Sequence, residues 1–138
     1  MSGRIGLVTT ITALAGMSAL CVIPVSADEG HRPPPGSNTM LVAPLETAPG
    51  LEVIVSDVVI PPNAEVPPHT HPGEEIVYVI EGAAIHREEG QEDRIYRAGE
   101  AFVIGKGKVH SPQTTNEPAR AIVFRVHPVG APERMPAE

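Results

Sequence analysis

Proline and glycine interrupt this chain so often that short strands and turns are favoured over long helices. Among 138 residues there are 16 Pro and 13 Gly, and both residue types break regular helical hydrogen bonding. The segments between these breaks are short and rich in β-branched residues, which favour strands. The clearest is Leu51–Ile60, LEVIVSDVVI, which Pro61 and Pro62 end. The pattern predicts an all-β domain of about eight or more short strands, arranged as a sandwich or barrel.

Further strands are predicted wherever apolar and polar residues alternate between turn residues. They cover Glu75–Glu81, a hairpin of Ala84–Glu88 and Arg94–Arg97, and then Ala101–Ile104, His110–Thr114 and Arg120–His127. Gly82 is expected to turn the chain after the first of these segments. In the last strand, Val123, Arg125 and His127 are predicted to share one face, because residues two apart point to the same side of a sheet.

Composition restricts both the core and the partners. Aromatic residues make up 3% of the chain and Trp is absent, so the core must consist of Val, Ile, Leu and Ala. The formal net charge is −7, which disfavours binding to nucleic acid or to an anionic membrane through bulk charge. Five arginines are expected to form solvated or cross-strand ion pairs with acidic residues. One of them could instead bind a substrate carboxylate. They are Arg87, Arg94, Arg97, Arg120 and Arg125.

The N-terminus has the pattern of a secretory signal peptide over residues 1–27. Arg4 precedes the uncharged, largely apolar segment 5–23, and Val25-Ser26-Ala27 supplies small residues before a cleavage site. We therefore expect export to the periplasm or the medium, with no integral membrane domain after cleavage. The alternative is a membrane anchor formed by residues 5–23. Cleavage would remove Cys21, the only cysteine, and leave no thiolate to bind a metal.

The rest of the chain divides by composition into three parts. Residues 28–39 contain the run Pro33-Pro34-Pro35-Gly36 and are expected to form a flexible linker. Residues 40–128 contain the predicted strands and form the barrel domain. Residues 129–138 are a Pro-rich tail that is expected to fray.

The strongest chemical pattern is the segment His69-Thr70-His71-Pro72-Gly73-Glu74-Glu75. On an extended segment, His69 and His71 present their imidazoles to one side. Pro72-Gly73 bends the chain, so that Glu75 can return a carboxylate to the same point. Imidazole and carboxylate together suit Fe, Mn, Ni, Cu or Zn. The alternative is a pair of surface histidines in a Pro-rich loop.

The wider spacing resembles the two motifs of the cupin superfamily. The first motif, G-x5-H-x-H-x3–4-E-x6-G, is matched by Asn63, His69, His71, Glu75 and Gly82, with Asn63 in place of the first Gly. Asn tolerates the left-handed backbone conformation that Gly adopts in such turns. The second motif, G-x5-P-x-G-x2-H-x3-N, is matched by Gly99, Gly107 and His110. Gly105 replaces its Pro, and the closing Asn comes late, as Asn116.

This resemblance implies a single jelly-roll β-barrel of the small, conserved-barrel, quercetin dioxygenase-like kind. It implies that one divalent transition metal binds to His69, His71, Glu75 and His110. An apolar pocket beside the metal is expected to include Val77, Val79, Phe102 and Ile104. Candidates for tuning the ligands are Glu74, Tyr78 and Gln113, and His86 and His127 are expected on a barrel face or an interface rather than on the metal.

Two functional classes agree with this sequence. The first is a metal-dependent oxygenase that acts on a small chelating organic substrate at open coordination positions. The second is a non-catalytic module of the cell envelope that binds a metal or a small molecule, because one fold hosts many chemistries. A homodimer is expected in either case, since small cupins often pair by sheet extension and an uncovered edge strand is a liability.

Overall fold

The computed structural model describes residues 32–137, and every regular element in this part of the chain is a β-strand. The strands are β1 (Gly36–Pro44), β2 (Leu51–Ile60), β3 (His69–Thr70), β4 (Glu74–Glu88), β5 (Arg94–Arg97), β6 (Ala101–Ile104), β7 (His110–Gln113), β8 (Ala119–Pro128) and β9 (Met135–Pro136). The all-β prediction is confirmed. The predicted signal peptide and the first residues of the predicted linker lie outside the described range.

All pairings between these strands are antiparallel, and together they form one curled sheet. The order along it is β1-β2-β8-β4-β7-β3-β9, while β5 and β6 pair with β4. The longest ladder joins β2 to β8 over all ten residues of each strand, from Leu51 opposite Pro128 to Ile60 opposite Ala119. β-Branched residues fill most of β2, which explains why it forms the regular centre of this half of the sheet.

Strand β4 bends at Gly82, where the sequence predicted that the chain would turn and the strand would end. The strand continues through Gly82 with φ +68 and a register shift between Val79 and Glu81. Before the bend, β4 pairs with β8 and β6; after it, β4 pairs with β5 and β7. Only glycine suits this position, because an added Cβ would lie 1.9 Å from the carbonyl oxygen of Pro118. The bend therefore curls the sheet, and β4 does not end at Gly82.

The concave side of the curled sheet holds the core. Val77, Val79 and Ile104 pack there with Val123, and the ring of Tyr96 stacks on Phe102 with centroids 3.8 Å apart. This confirms a core built mainly from aliphatic residues. In β8, Val123, Arg125 and His127 are all buried while Phe124 is exposed, so the predicted alternation of this strand is also confirmed.

Two strands contain residues outside the predicted barrel of residues 40–128: β1 begins before it, and β9 follows it. β1 begins at Gly36, inside the segment predicted to be a linker, and pairs along β2 as far as Pro44. Its residues are largely exposed, so no alternation of apolar residues revealed it. In the tail, Met135 and Pro136 pair with β3, and the amide of Ala137 donates to the carbonyl of Pro68 at 3.0 Å. Pro136 is tolerated because β9 is an edge strand.

Within residues 32–137 there is no helix long and apolar enough to cross a bilayer.

Candidate metal centre

Three histidine rings gather where β3 meets β7. His69 on β3 lies directly opposite His110 on β7, and His71 follows two residues after His69. The ring centroid of His69 is 4.3 Å from that of His110 and 5.0 Å from that of His71. One nitrogen from each ring lies within 4.8 Å of the other two, and all three residues are buried. Strand pairing therefore brings together side chains that are about forty residues apart in sequence.

The backbone fixes which nitrogen of each ring is free. His69 Nδ1 lies 2.8 Å from the carbonyl oxygen of Pro67, His110 Nδ1 lies 3.1 Å from that of Lys108, and His71 Nδ1 contacts that of Glu133. A carbonyl can only accept a hydrogen bond, so in a neutral ring Nδ1 carries the hydrogen and donates it. The lone pair is then on Nε2. Backbone carbonyls commonly orient metal-binding histidines in this way.

Two of these Nε2 atoms are buried without a hydrogen-bond partner, those of His71 and His110. A buried nitrogen with no partner is costly unless something else satisfies it. Burial lowers the pKa of His69 to about 4, against the opposing hydrogen bond to Pro67, and the nearby His110 and His71 lower it further. Burial likewise lowers the pKa of His110. Both rings are therefore neutral at neutral pH, which is the form that binds a metal ion. The donor set fits a divalent transition metal.

Glu75 is the second residue of β4 and lies beside these rings. Its Oε2 lies 3.0 Å from His71 Nε2, without the angles of a hydrogen bond, and its Oε1 lies 3.9 Å from His110 Nε2. Burial alone would raise the pKa of Glu75, but His71, Arg125 and His110 outweigh it and lower the pKa to about 2. The carboxylate is therefore ionised and lies beside the imidazoles of His71 and His110.

Arg125 holds this carboxylate, although the sequence did not indicate which acid Arg125 would pair with. Its Nε donates to Glu75 Oε2 at 2.6 Å, and its Nη1 lies 2.9 Å from Glu133 Oε1 and 3.3 Å from Ser56 Oγ. The expected cross-strand pair is confirmed for this residue, because Glu75 and Arg125 lie directly opposite each other on β4 and β8. The pair is buried rather than solvated, because Arg125 lies on the inner face of β8. Glu133 contacts both Arg125 and His71, so the tail helps to build the site. No local pattern around Glu133 indicated this.

A cavity of about 350 Å³ adjoins the histidines. His69, Glu75 and His110 line one part of it, and most of the remaining wall is aliphatic. The predicted apolar pocket residues are confirmed, since Val77, Val79, Phe102 and Ile104 all line the cavity. The volume of the cavity is typical of a site that binds a small ligand, and so is its apolar lining with a few polar groups.

The remaining candidates are placed as follows. Glu74 and Tyr78 are exposed on the outer face of β4, which alternates with the face that carries Glu75, so neither contacts the histidines. Gln113 is half-buried, and its backbone forms an isolated antiparallel β-bridge with Glu65. It does not line the cavity. His86 lines the cavity. His127 is fully buried, 5.7 Å from His71 between ring centroids, so both histidines lie inside the curled sheet rather than on an exposed interface.

Comparison with known proteins identifies the family to which this site belongs. The family model described as Cupin domain matches residues 56–125, half of the chain. The chain belongs to the cupin family. The matched range contains every histidine of the candidate metal centre and both halves of the Glu75–Arg125 ion pair. The left-handed conformation predicted for Asn63, at the start of the first cupin motif, is also observed, with φ +53.

Among known proteins, this cupin is similar to germin-like protein 9-2 of Oryza sativa subsp. japonica, with 34% identity over 99 residues. The alignment covers 65% of this chain and 46% of the plant protein, so the chain spans about half the length of the curated relative it matches. The cupin fold is shared with two solved structures. A cupin-like protein from Thermotoga maritima has 26% identity and a TM-score of 0.55, covering 62% of this chain and 64% of its own. An uncharacterized conserved protein with a double-stranded β-helix domain, from Klebsiella pneumoniae subsp. pneumoniae, has 25% identity and a TM-score of 0.58, with coverages of 78% and 90%.

Proposed function

We propose that this cupin binds one divalent transition metal through His69, His71 and His110, with Glu75 as a fourth ligand. The observation that carries the proposal is the set of three buried imidazoles whose Nδ1 atoms face backbone carbonyls, which leaves three Nε2 lone pairs close together. Glu75 can join them because Arg125 occupies only its Oε2, while Oε1 faces His110. Nitrogen and oxygen ligands of this kind suit Fe, Mn, Ni, Cu or Zn.

We further propose that the protein is a metal-dependent enzyme of the oxygenase class, acting on a small chelating organic substrate. A bound ion of this kind supplies Lewis-acid chemistry and, where it is redox-active, electrons for oxygen chemistry. The chain itself supplies the enclosure. Val77, Val79 and Ile104 form an apolar wall that excludes water and strengthens polar contacts within the cavity. Arg125 keeps Glu75 ionised and oriented beside the imidazoles.

Elemental analysis of protein isolated from its native compartment tests the metal site. We expect about one equivalent of metal in the wild type and much less in His69→Ala and His110→Ala, because each loses one of the convergent lone pairs. Glu75→Gln should also bind less metal, whereas Glu74→Gln, which changes the exposed neighbouring carboxylate, should match the wild type. Equal metal in the wild type and both histidine variants would refute the assignment.

Oxygen consumption tests the class of activity. Protein loaded with Fe or Mn should consume oxygen with at least one member of a panel of diphenols and diketones, and His110→Ala should not. If no metal supports oxygen uptake and the protein nevertheless retains a ligand tightly, the non-catalytic binding module becomes the better description. Metal content measured on the same samples separates this outcome from loss of the ion.

We also propose a homodimer that forms along β1. Within the described residues β1 pairs only with β2, and Met40, Leu41 and Val42 on it are 62%, 50% and 53% exposed. An apolar edge strand with free backbone groups favours pairing with another strand. The mass in solution should be that of a dimer, and Leu41→Lys should give monomer. Val103→Lys, at an exposed apolar position on β6, is the matched control and should remain dimeric.

Export is proposed on the pattern of residues 1–27. The charged start, the uncharged segment 5–23 and the small residues before position 28 support cleavage by a signal peptidase. Mass spectrometry of the native protein should find an N-terminus at Asp28. Retention of residues 5–23 in a membrane fraction would support the anchor instead.

A further inference from the structure

The cavity is also lined by a buried imidazole that the metal site does not use, the ring of His86. This residue lies on β4 beyond the bend, and its ring centroid is 6.0 Å from that of His110 and 5.0 Å from that of Phe102. It lines the cavity and is 9% exposed. Its Nδ1 is buried and has no hydrogen-bond partner among the described residues. A buried imidazole nitrogen of this kind is uncommon unless a ligand or an ordered water occupies it.

Glu88 determines the hydrogen-bonding character of that nitrogen. Residues two apart on a strand share a face, and Glu88 Oε2 lies 3.4 Å from His86 Nε2. Gln91 donates to the other oxygen, Oε1, and the carboxylate is buried. A carboxylate oxygen accepts, so in this contact Nε2 carries the hydrogen and donates it. In a neutral ring Nδ1 is then an acceptor, and it is the only ring nitrogen left for a ligand.

We propose that His86 Nδ1 accepts a hydrogen bond from an O–H or N–H group of the ligand in the cavity. The inference rests on the proposed function, because the metal holds the other end of the same molecule. It specifies the ligand class: a small, mainly apolar chelator that carries a hydrogen-bond donor remote from its metal-binding atoms. Glu88 is a positioning residue that fixes the tautomer of His86. A site with a buried acceptor discriminates against analogues that lack the donor, because the acceptor would then be left unpaired.

The first test is independent of any metal. Nitrogen NMR of metal-free protein near neutral pH should show His86 with hydrogen on Nε2 and a bare Nδ1. In Glu88→Leu this preference should weaken, because the acceptor that holds the Nε2 hydrogen is gone. A wild-type His86 with hydrogen on Nδ1 overturns the proposal, whatever the outcome of the metal analysis.

The second test uses benzohydroxamic acid and its three ring-hydroxylated isomers as probes of zinc-loaded protein. One isomer should bind about three- to tenfold more tightly than the parent, the effect of one hydrogen bond. This advantage should disappear in His86→Phe and persist in His86→Asn, whose side-chain oxygen can replace Nδ1 as acceptor. Zinc content should be unchanged in both variants. The readout is the ratio of the affinities for isomer and parent within each variant, because removing Nδ1 also removes the unpaired acceptor that the parent meets in the wild type.

The outcomes separate the two proposals. If the parent probe and zinc fail to bind, the proposed function fails, and the NMR result alone decides the role of His86. If the parent binds but no isomer gains, or the gain survives in His86→Phe, His86 does not bind the donor and an ordered water is its partner.

Discussion

Replacing Arg125 by Met should destabilise the metal-free protein more than any other single change of charge at the site. Arg125 and Glu75 are only 7% and 8% exposed, and Nε donates to Oε2 at 2.6 Å. Opposite charges about 4 Å apart attract by about 4 kcal/mol at an effective dielectric constant of about 20. Removing one partner of a buried pair costs about 3–5 kcal/mol, because the other charge stays buried and unpaired. We expect a loss within this range.

The assay is urea denaturation followed by circular dichroism at pH 7 in the presence of a chelator. Glu75→Gln in the Arg125→Met background should restore at least half of the loss, because no buried charge is then left without a partner. The other carboxylate that Arg125 contacts, Glu133, is 36% exposed and remains accessible to water. Arg87→Met is the matched control. It breaks an ion pair with Asp93 that is about half exposed, and it should leave the denaturation midpoint unchanged within error.

The same variant tests the fourth ligand. Zinc should stabilise Arg125→Met by more than it stabilises the wild type, because the ion brings positive charge to a carboxylate that has lost its only cationic side chain. The reasoning would be refuted if Arg125→Met lost less than about 1 kcal/mol, well below the range for a broken buried pair. It would also be refuted if the double variant were as unstable as the sum of the two single changes.

Three further predictions test the packing and protonation around the site. Gly73→Ala should destabilise the fold by on the order of 3 kcal/mol or more in a thermal melt, since its Cβ would lie 1.6 Å from the carbonyl oxygen of Val126. Gly105→Ala is the control and should be tolerated, because its Cβ would meet only the Lys108 side chain at 3.5 Å. Val79→Ala should cost about 2 kcal/mol in urea denaturation, because Val79 is fully buried in the core, and a loss near zero would show that the cavity wall collapses around it. The metal-free protein should lose stability as the pH falls from 6.5 to about 4, because unfolded histidine takes up a proton in that range while the folded-state pKa of His69 is lowered to about 4. His69→Gln should flatten this dependence, and an unchanged slope in that variant would contradict the assignment.

The sequence was most informative where a local pattern controls the structure. Alternation predicted β8, because one face of that strand is more deeply buried and the side-chain period is two. The β-branched composition predicted β2, in which consecutive residues are buried and no alternation is seen. His69 and His71 are near neighbours on a short extended segment, so their convergence needed only that geometry. His110 came from a motif, and the strand pairing that places it opposite His69 was not visible in the residues themselves.

Long-range contacts account for what the sequence did not predict. Nothing in the segment 129–138 distinguishes Glu133 from an ordinary solvated acid, yet its carbonyl meets His71 and its carboxylate meets Arg125. Likewise, β1 is largely exposed, so its pairing with β2 depends on backbone hydrogen bonds. Such bonds leave no pattern of apolar residues in the sequence from which the strand could be predicted. Edge strands and tails are the elements for which propensity says least, because their neighbours rather than their side chains decide the conformation.

The bend in β4 explains how one strand serves both ends of the cavity. Glu75, Val77 and Val79 precede the bend and line the cavity from the half of the sheet that contains β8, while His86 follows it and lines the cavity from the half that contains β7. In a straight strand, Glu75 and His86 would be about 36 Å apart, too far to share a cavity of about 350 Å³. The left-handed glycine at position 82 and the adjacent register shift are therefore as necessary to the site as its histidines. Because Glu75 and His86 belong to the same bent strand, β4 would connect the metal that Glu75 binds with the ligand group that donates a hydrogen bond to His86.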